Sequence, residues 1–297
     1  IRRGEKTTIT KQFQRVSESL RCIIPLLRKG YAIVITHGNG PQVGNILIRV
    51  EEALGKAYPL PLEVCVAESQ GEIGYMIEQS LQNILQQHNR KHMVVTVLTQ
   101  VLVDKKDPYF RKPTKPVGPF LNKRQALQLK RKGKAIVQID SQFRRVVPSP
   151  RPLKVIECNT IRELLKHNII VIAAGGGGIP VYRKGKKLKG IEAVIDKDLA
   201  SACLAKDLKA NLLLILTDVD GAYLHYKKPN QKKIVRMTIK QARQYLSHGH
   251  FPEGSMRPKV QAAINFVSAT KGKAVITSLE RVEKALKGKA GTTVTYQ

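Results

Sequence analysis

The feature that most constrains the fold is the alternation of short apolar runs with amphipathic stretches along the chain. Short apolar runs suit buried strands, whereas apolar residues that recur every three or four positions suit helices packed against a sheet. The alternation therefore predicts an α/β fold, with a mostly parallel sheet covered by helices on both faces. The predicted strands are residues 32–36, 93–98, 169–174, 212–216 and 274–277.

One long amphipathic helix is predicted before the first of these strands. Its apolar residues recur at intervals of three and four from Phe13 to Leu27, and Gly30 follows as a helix stop. The pattern predicts one continuous helix over residues 13–27 that lies on the sheet.

Residues 104–152 interrupt the alternation. This stretch contains seven prolines and many basic residues around one short apolar run. Proline cannot donate to a strand ladder, so this stretch cannot supply central strands. We expect one domain over residues 1–297, with residues 104–152 as a protruding subdomain or lid.

The charge is strongly positive, because 52 Lys and Arg oppose 22 Asp and Glu, which gives a formal net charge of +30. Such a charge is typical of a protein that binds a polyanion. The basic residues are spread along the chain, however, with few aromatic residues between them to stack on bases. The favoured interpretation is a solvated basic surface, and a nucleic-acid-binding surface is the alternative.

The apolar runs and the cysteines indicate where in the cell the protein is expected. The longest apolar runs are far shorter than the roughly 20 residues of a membrane-spanning helix, so no membrane span is expected. The 4 cysteines include no Cys-x-x-Cys pair, which favours buried thiols in a reducing compartment over a metal site or a disulfide scaffold. We therefore expect a cytoplasmic protein.

Two glycine-rich turns follow predicted strands. Residues 36–45 read Thr-His-Gly-Asn-Gly-Pro-Gln-Val-Gly-Asn and open a helix, and residues 175–178 are four consecutive glycines. Backbone N–H groups converge at such turns and can hold an anion. Neither turn matches the P-loop or the dinucleotide-binding pattern.

Charged motifs also stand at the ends of predicted strands and helices. Residues 192–198 alternate carboxylates with a lysine, residues 217–221 follow the most apolar strand, and residues 254–259 precede a helix. The first of these could be only a surface ion-pair ladder. Together with the glycine turns, though, they are typical of phosphoryl transfer, which depends on positioning and on neutralising phosphate charge.

Eight segments resemble the carbamate kinases of the amino acid kinase family, in order from about residue 3 to residue 291. The strings Gly-Asn-Gly-Pro-Gln-Val-Gly-Asn and Pro-Thr-Lys-Pro-Val-Gly-Pro-Phe separate carbamate kinases from other kinases of that fold. The segments are residues 37–45, 69–76, 113–120, 144–150, 174–181, 192–200, 216–222 and 254–260.

This resemblance implies an open αβα sandwich around a mostly parallel sheet, and a homodimer. It further implies reversible, Mg²⁺-dependent phosphoryl transfer between carbamoyl phosphate and ADP, which yields ATP and carbamate. Two other functions stay open. One is a catalytically impaired homologue that binds nucleic acid or another polyanion, and the other is a different acid or phosphate kinase of the same fold.

The resemblance also implies roles for individual residues. Lys115, Lys197 and Lys259 would surround the transferring phosphoryl group, and Asp198 would hold the lysines in place. The expected phosphate and substrate cradle is Gly38, Asn39, Gly40, Gly175, Gly176 and Gly177. The residues expected to flank the nucleotide are Thr217, Asp218, Val219, Gly221 and Met256.

Two features depart from the family pattern. The family opens with a strand that ends in a phosphate-binding Gly-Gly-Asn-Ala turn, and we expect that strand to lie before residue 1. In addition, Arg257 stands where the family usually has glycine, between Met256 and Pro258. The second departure places a bulky cation beside the expected site.

Overall fold

Helices and strands alternate along the chain in the computed structural model, which describes residues 8–297. The helices are α1 (Ile9–Leu20), α2 (Ile23–Arg28), α3 (Gly40–Glu52), α4 (Leu62–Gln87), α5 (Lys123–Arg131), α6 (Cys158–Lys166), α7 (Lys197–Asp207), α8 (Ile239–Ser247), α9 (Met256–Thr270) and α10 (Val282–Leu286). Short 3₁₀ turns span Pro108–Phe110, Gly175–Gly177 and Leu279–Arg281.

The strands fall into five sheets within the described residues. They are β1 (Val34–Ile35), β2 (Val94–Thr96), β3 (Gln100–Val103), β4 (Lys115–Leu121), β5 (Ile136–Ile139), β6 (Gln142–Val147), β7 (Pro152–Val155), β8 (Ile170–Ile172), β9 (Ile179–Lys184), β10 (Lys187–Gly190), β11 (Leu212–Leu216), β12 (Ala222–Leu224), β13 (Lys232–Ile234), β14 (Arg236–Thr238), β15 (Lys273–Thr277) and β16 (Thr292–Thr295).

Each of the five predicted strands is present, as β1, β2, β8, β11 and β15. In the order β1-β8-β2 all pairs are parallel, with Val34 opposite Val171 and Val94 opposite Ile170. In the order β11-β15-β16-β14, β11 and β15 are parallel, with Leu212 opposite Lys273. The fold is therefore the expected α/β type, rich in parallel pairs.

Within residues 8–297 the central strands differ from the prediction in one respect, because they form two sheets instead of one. β1 and β11 are edge strands, and both line a groove of about 600 Å³ that reaches Lys197 and Asp198. The opening strand expected before residue 1 lies outside the described residues.

The helix predicted over residues 13–27 is wrong as a single element. The chain forms α1 and α2 with a break at Arg21 and Cys22. Pro25 explains the break, because its ring lacks an N–H and would clash with the carbonyl of Arg21 in a continuous helix. Both helices still bury apolar side chains against α4 and the β1-β8-β2 sheet.

The proline-rich stretch is an insertion between two neighbouring strands of the β10-β9-β3-β7 sheet. β3 and β7 are antiparallel neighbours, and between them β4, β5 and β6 form a separate antiparallel sheet that carries α5. Pro116 and Pro119 lie in β4, at the edge of that sheet, where a missing donor costs little. Its function as a lid stays a prediction.

Among residues 8–297, no helix is long and apolar enough to cross a membrane. Cys65, Cys158 and Cys203 are buried free thiols, as expected, while Cys22 is partly exposed.

Candidate active site

The first glycine turn connects β1 to α3. Asn39 precedes the helix and is 4% exposed, whereas Gly38 and Gly40 are exposed. A Cβ atom on Gly38 would lie only 3.1 Å from Cδ of Lys197. The turn therefore lies directly against a predicted site lysine, and a side chain on Gly38 would push that lysine away.

The second glycine turn follows β8 and has an unusual backbone. Ala174 has φ 50°, and Gly176, Gly177 and Gly178 have φ values of 65°, 95° and 83°. Only glycine adopts such consecutive positive φ angles without strain, which explains why this turn consists of glycines. The N–H of Gly176 donates to the carbonyl of His37 over 2.8 Å, so the two glycine turns are in direct contact.

Two lysines from different helices meet at one carboxylate. Lys197 Nζ lies 2.8 Å from Oδ1 of Asp198, and Lys259 Nζ lies 2.9 Å from Oδ2 of the same side chain. Lys197 and Asp198 are the first two residues of α7, and Lys259 lies in the first turn of α9. Packing of α7 against α9 therefore brings together groups that are 61 residues apart.

The environments of these two lysines differ. Burial alone would lower the pKa of Lys197, but the adjacent Asp198 carboxylate raises it above the usual value. Burial and the nearby Lys197 ammonium lower the pKa of Lys259, and Asp198 only partly opposes them. The pair is thus a concentrated positive charge that a single carboxylate holds in place.

The third predicted lysine comes from the proline-rich stretch. Lys115 Nζ lies 2.7 Å from Oδ2 of Asp196. Asp196 is the N-cap of α7, because its Oδ1 accepts from the N–H groups of Asp198 and Leu199. Burial would raise the pKa of Asp196, but the Lys115 ammonium lowers it below the usual value. Lys115 therefore reaches the start of the helix that carries Lys197 and Asp198.

The segment expected to flank the nucleotide follows β11, one of the strands that line the groove to Lys197. Thr217 N–H donates to the carbonyl of Thr277, and Asp220 accepts from Lys233 Nζ over 2.5 Å. A Cβ on Gly221 would lie 2.8 Å from Oγ1 of Thr292. These contacts fix both ends of a segment whose middle residues are Asp218 and Val219.

Met256 and Arg257 start α9, close in sequence to Lys259. Met256 packs against the core cluster around β11, β15 and α9. Arg257 Nη1 lies 3.9 Å from Oε1 of Glu253, a highly exposed side chain. Arg257 thus pairs with a surface glutamate and leaves Asp198 to the two lysines.

The carboxylates at the site bear on metal binding. In the described part of the chain, no group of three or more His, Cys, Asp or Glu side chains is placed to hold a metal ion. Asp196 and Asp198 instead hold lysines. Magnesium commonly uses one or two carboxylates plus substrate phosphates and water, so it can arrive with the nucleotide and needs no larger cluster of protein ligands.

Sequence reasoning missed two kinds of site residue. Asp196 lies in the motif at residues 192–198, and its position before an alanine-rich helix is typical of an N-cap, whereas its contact with Lys115 depends on the tertiary structure. His37 was also missed. Its ring is half-buried against Gly175, and burial lowers its pKa below the usual value, which favours the neutral imidazole.

Comparisons with known proteins identify the family of this chain. The model of the amino acid kinase family matches residues 7–278. The carbamate kinase of Pyrococcus horikoshii is 46% identical over 297 residues, which cover 99% of this chain and 95% of that protein. The carbamate kinase of Staphylococcus haemolyticus is 45% identical over 96% of this chain and 94% of its own length.

A solved structure is similarly close. The carbamate kinase of Giardia lamblia bound to AMP-PNP superposes with a TM-score of 0.92 and is 43% identical, over 99% of this chain and 94% of that chain. The N-acetylglutamate synthase of Neisseria gonorrhoeae has a TM-score of 0.58 at 16% identity, over 95% of this chain and 58% of its own. That second likeness concerns the fold alone.

Proposed function

The chain belongs to the amino acid kinase family and, within it, to the carbamate kinases, and on this premise we propose that it transfers a phosphoryl group between carbamoyl phosphate and ADP. The observation that carries the proposal is the placement of Asp198 between Lys197 and Lys259, beside the first glycine turn. Cations next to backbone N–H groups suit a reaction whose transition state is dense in negative charge.

The reaction needs no general base. A β-phosphate oxygen of ADP attacks the phosphorus of carbamoyl phosphate, and the bond from that phosphorus to the bridging oxygen breaks. Carbamate leaves with that electron pair as an anion, and ATP forms. Both the nucleophile and the leaving group are anionic oxygens, so the protein's task is to orient them and to offset charge.

The three lysines have distinct tasks in this scheme. Lys197 and Lys259 neutralise charge on the transferring phosphoryl group from one side, held at a fixed separation by Asp198. Lys115 approaches from the separate sheet, where substrate phosphate would compete with Asp196 for its ammonium. Gly38, Asn39 and Gly40, with Gly175, Gly176 and Gly177, supply close backbone approach to the anion.

Nucleotide binding falls to the segment after β11. Thr217, Asp218, Val219 and Gly221 stand at the carboxyl end of a parallel strand, where ligands of open α/β sheets collect. Met256 adds an apolar side chain from the start of α9. A relative that binds AMP-PNP supports a nucleotide site in this fold.

Magnesium would accompany the nucleotide, held mainly by its phosphates and water, with Asp218 as the candidate carboxylate, because Asp220 is paired with Lys233. Bound there, it would offset charge on the β- and γ-phosphates. We also propose a homodimer, on the resemblance alone. A cytoplasmic location fits the free thiols of the described residues.

The decisive experiment measures ATP formation from ADP and carbamoyl phosphate, with and without Mg²⁺. In the reverse direction, ATP consumption is measured with carbamate, acetylglutamate or aspartate as acceptor. We expect turnover with carbamate and its loss in Lys259→Ala. Turnover with another acceptor and none with carbamate would overturn the proposal in favour of another kinase of the same fold.

A further inference from the structure

One helix, α4, lies beneath both glycine turns and carries a motif to which the reaction assigns no role. Ser69 and Gln70 begin that motif, and both are buried, with exposures of 0% and 2%. Neighbouring residues on an α-helix point about 100° apart. Adjacent side chains on one helix can therefore reach two different turns.

Ser69 holds the first turn. Its Oγ donates to the carbonyl of Val66 over 2.6 Å and accepts from Nδ2 of Asn39 over 2.9 Å. Because the hydroxyl proton is engaged by Val66, Ser69 can only accept from Asn39. The carboxamide of Asn39 therefore has one orientation, in which its NH₂ group points to Ser69.

Gln70 holds the second turn through Thr99. The N–H of Thr99 donates to Oε1 of Gln70 over 2.9 Å, and Nε2 of Gln70 donates to the carbonyl of Thr99 over 3.1 Å. Thr99 is itself fully buried. A side-chain amide that makes both hydrogen bonds to one backbone residue fixes that residue tightly.

Thr99 in turn accepts hydrogen bonds from the residues on both sides of the four glycines. Its Oγ1 accepts from the N–H of Ala174 over 3.0 Å, just before the run. Its carbonyl accepts from the N–H of Ile179 over 2.8 Å, just after the run. Four consecutive glycines have wide conformational freedom, so anchors at both ends are what restrict them.

The two turns also contact each other directly, so their positions are coupled. A Cβ on Gly176 would collide with the carboxamide of Asn39, and one on Gly175 would collide with the ring of His37. A shift of either turn therefore displaces the other. Both turns take their positions from consecutive residues of one rigid helix.

We propose that Ser69 and Gln70 are positioning residues, which hold the two glycine turns at a fixed separation and so keep the phosphate and substrate cradle in one shape. A cradle that is already in place stabilises a charged transition state without reorganisation. This inference rests on the proposed phosphoryl transfer. It assigns a function to the start of the motif at residues 69–76.

The test is a double-mutant cycle with Ser69→Ala, Gln70→Met and the double variant. Ser80→Ala is the matched control, because Ser80 is also buried on α4 but lies about three turns farther along. We expect each single variant to lower kcat/KM for carbamoyl phosphate by about 10- to 100-fold. The affinity of each single variant for nucleotide should stay within about twofold of the parent value. The kcat/KM of the Ser80→Ala control should do the same.

The double variant separates positioning from general destabilisation. If the two residues together set one separation, loss of either anchor is enough to change it. The kcat/KM of the double variant should then be only slightly lower than that of the less active single variant. Multiplicative losses that follow the fall in Tm would overturn the proposal, as would single variants that match Ser80→Ala.

A readout independent of activity keeps the two proposals distinguishable. Amide hydrogen exchange at residues 175–178 should accelerate in Gln70→Met while α4 stays protected, and affinity for inorganic phosphate should fall in both single variants. If these changes occur in a protein without carbamate kinase activity, the proposed function is refuted and the positioning role stands. Unchanged exchange and phosphate affinity in an active protein would sink only the positioning role.

Discussion

The helix-borne lysines and the lysine of the proline-rich stretch are held in different ways. Lys259 and Lys197, with side-chain exposures of 12% and 40%, share the buried Asp198 across the interface of α7 and α9. Lys115, on β4, has a side-chain exposure of 31% and pairs with Asp196. The first arrangement is anchored at the interface of two packed helices, whereas the second is a contact between β4 and the start of α7 that can break without separating those helices.

The largest expected effect comes from removing a lysine. Lys197→Ala, Lys259→Ala and Lys115→Ala should each lower kcat by about 10²- to 10³-fold, because each removes a positive charge from a charged transition state. Steady-state kinetics measure this. Lys206→Ala on α7 and Lys130→Ala on α5 are matched controls and should leave kcat unchanged. Normal rates in all three site variants would refute the assignment.

Asp198→Ala should lower kcat by about 100-fold while nucleotide affinity changes little. Without the carboxylate, two ammonium groups repel each other and lose their common anchor. Asp198→Asn preserves the shape of the side chain, but its kcat should fall nearly as far, because the negative charge is what holds the two ammonium groups. Unchanged kcat with weakened nucleotide binding would instead indicate a nucleotide or metal role for Asp198.

Asp196→Asn tests the contact from the proline-rich stretch. Asparagine also caps helices well, so α7 should keep its N-cap while Lys115 loses its charged partner. We expect kcat/KM for carbamoyl phosphate to fall by about 10-fold, with an unchanged Tm. Asp196→Ala should add a loss of about 1 kcal/mol in unfolding free energy, since it removes the cap as well. A large fall in Tm in Asp196→Asn would contradict this separation.

The pH dependence should distinguish the two helix-borne lysines. A lysine with a lowered pKa is protonated below that pKa and neutral above it, so turnover should fall as the pH rises through a value below the usual 10.5 of lysine. Lys259→Arg keeps its charge and should move this alkaline limb to higher pH. Lys197→Arg should not move it, because the pKa of Lys197 is raised. An alkaline limb that stays in place in Lys259→Arg would assign it to another group.

The smallest effect concerns the basic surface, which includes α5 of the proline-rich stretch. We expect duplex DNA to bind weakly and to dissociate near physiological ionic strength, as for a solvated basic surface. Fluorescence anisotropy across a salt series measures this. Tight binding that survives such salt, with a defined site size, would establish a nucleic-acid partner.

Local patterns allowed much of this protein to be predicted from its sequence. Apolar runs identify β1, β2, β8, β11 and β15, because a buried strand must be apolar whatever its neighbours are. The four glycines at residues 175–178 identify a turn, and three of them have positive φ angles in the structure. The resemblance pointed to Lys115, Lys197, Lys259 and Asp198 before their contacts were known.

Tertiary structure alone decided how distant residues pair. Nothing local shows that Lys259 meets Asp198, that Lys115 meets Asp196, or that β1 and β11 line one groove as edges of separate sheets. Likewise Ser69 and Gln70 are ordinary polar residues of a helix until the fold places Asn39 and Thr99 opposite them. Pairing across tens of residues depends on how whole helices and sheets pack, which a local pattern does not encode.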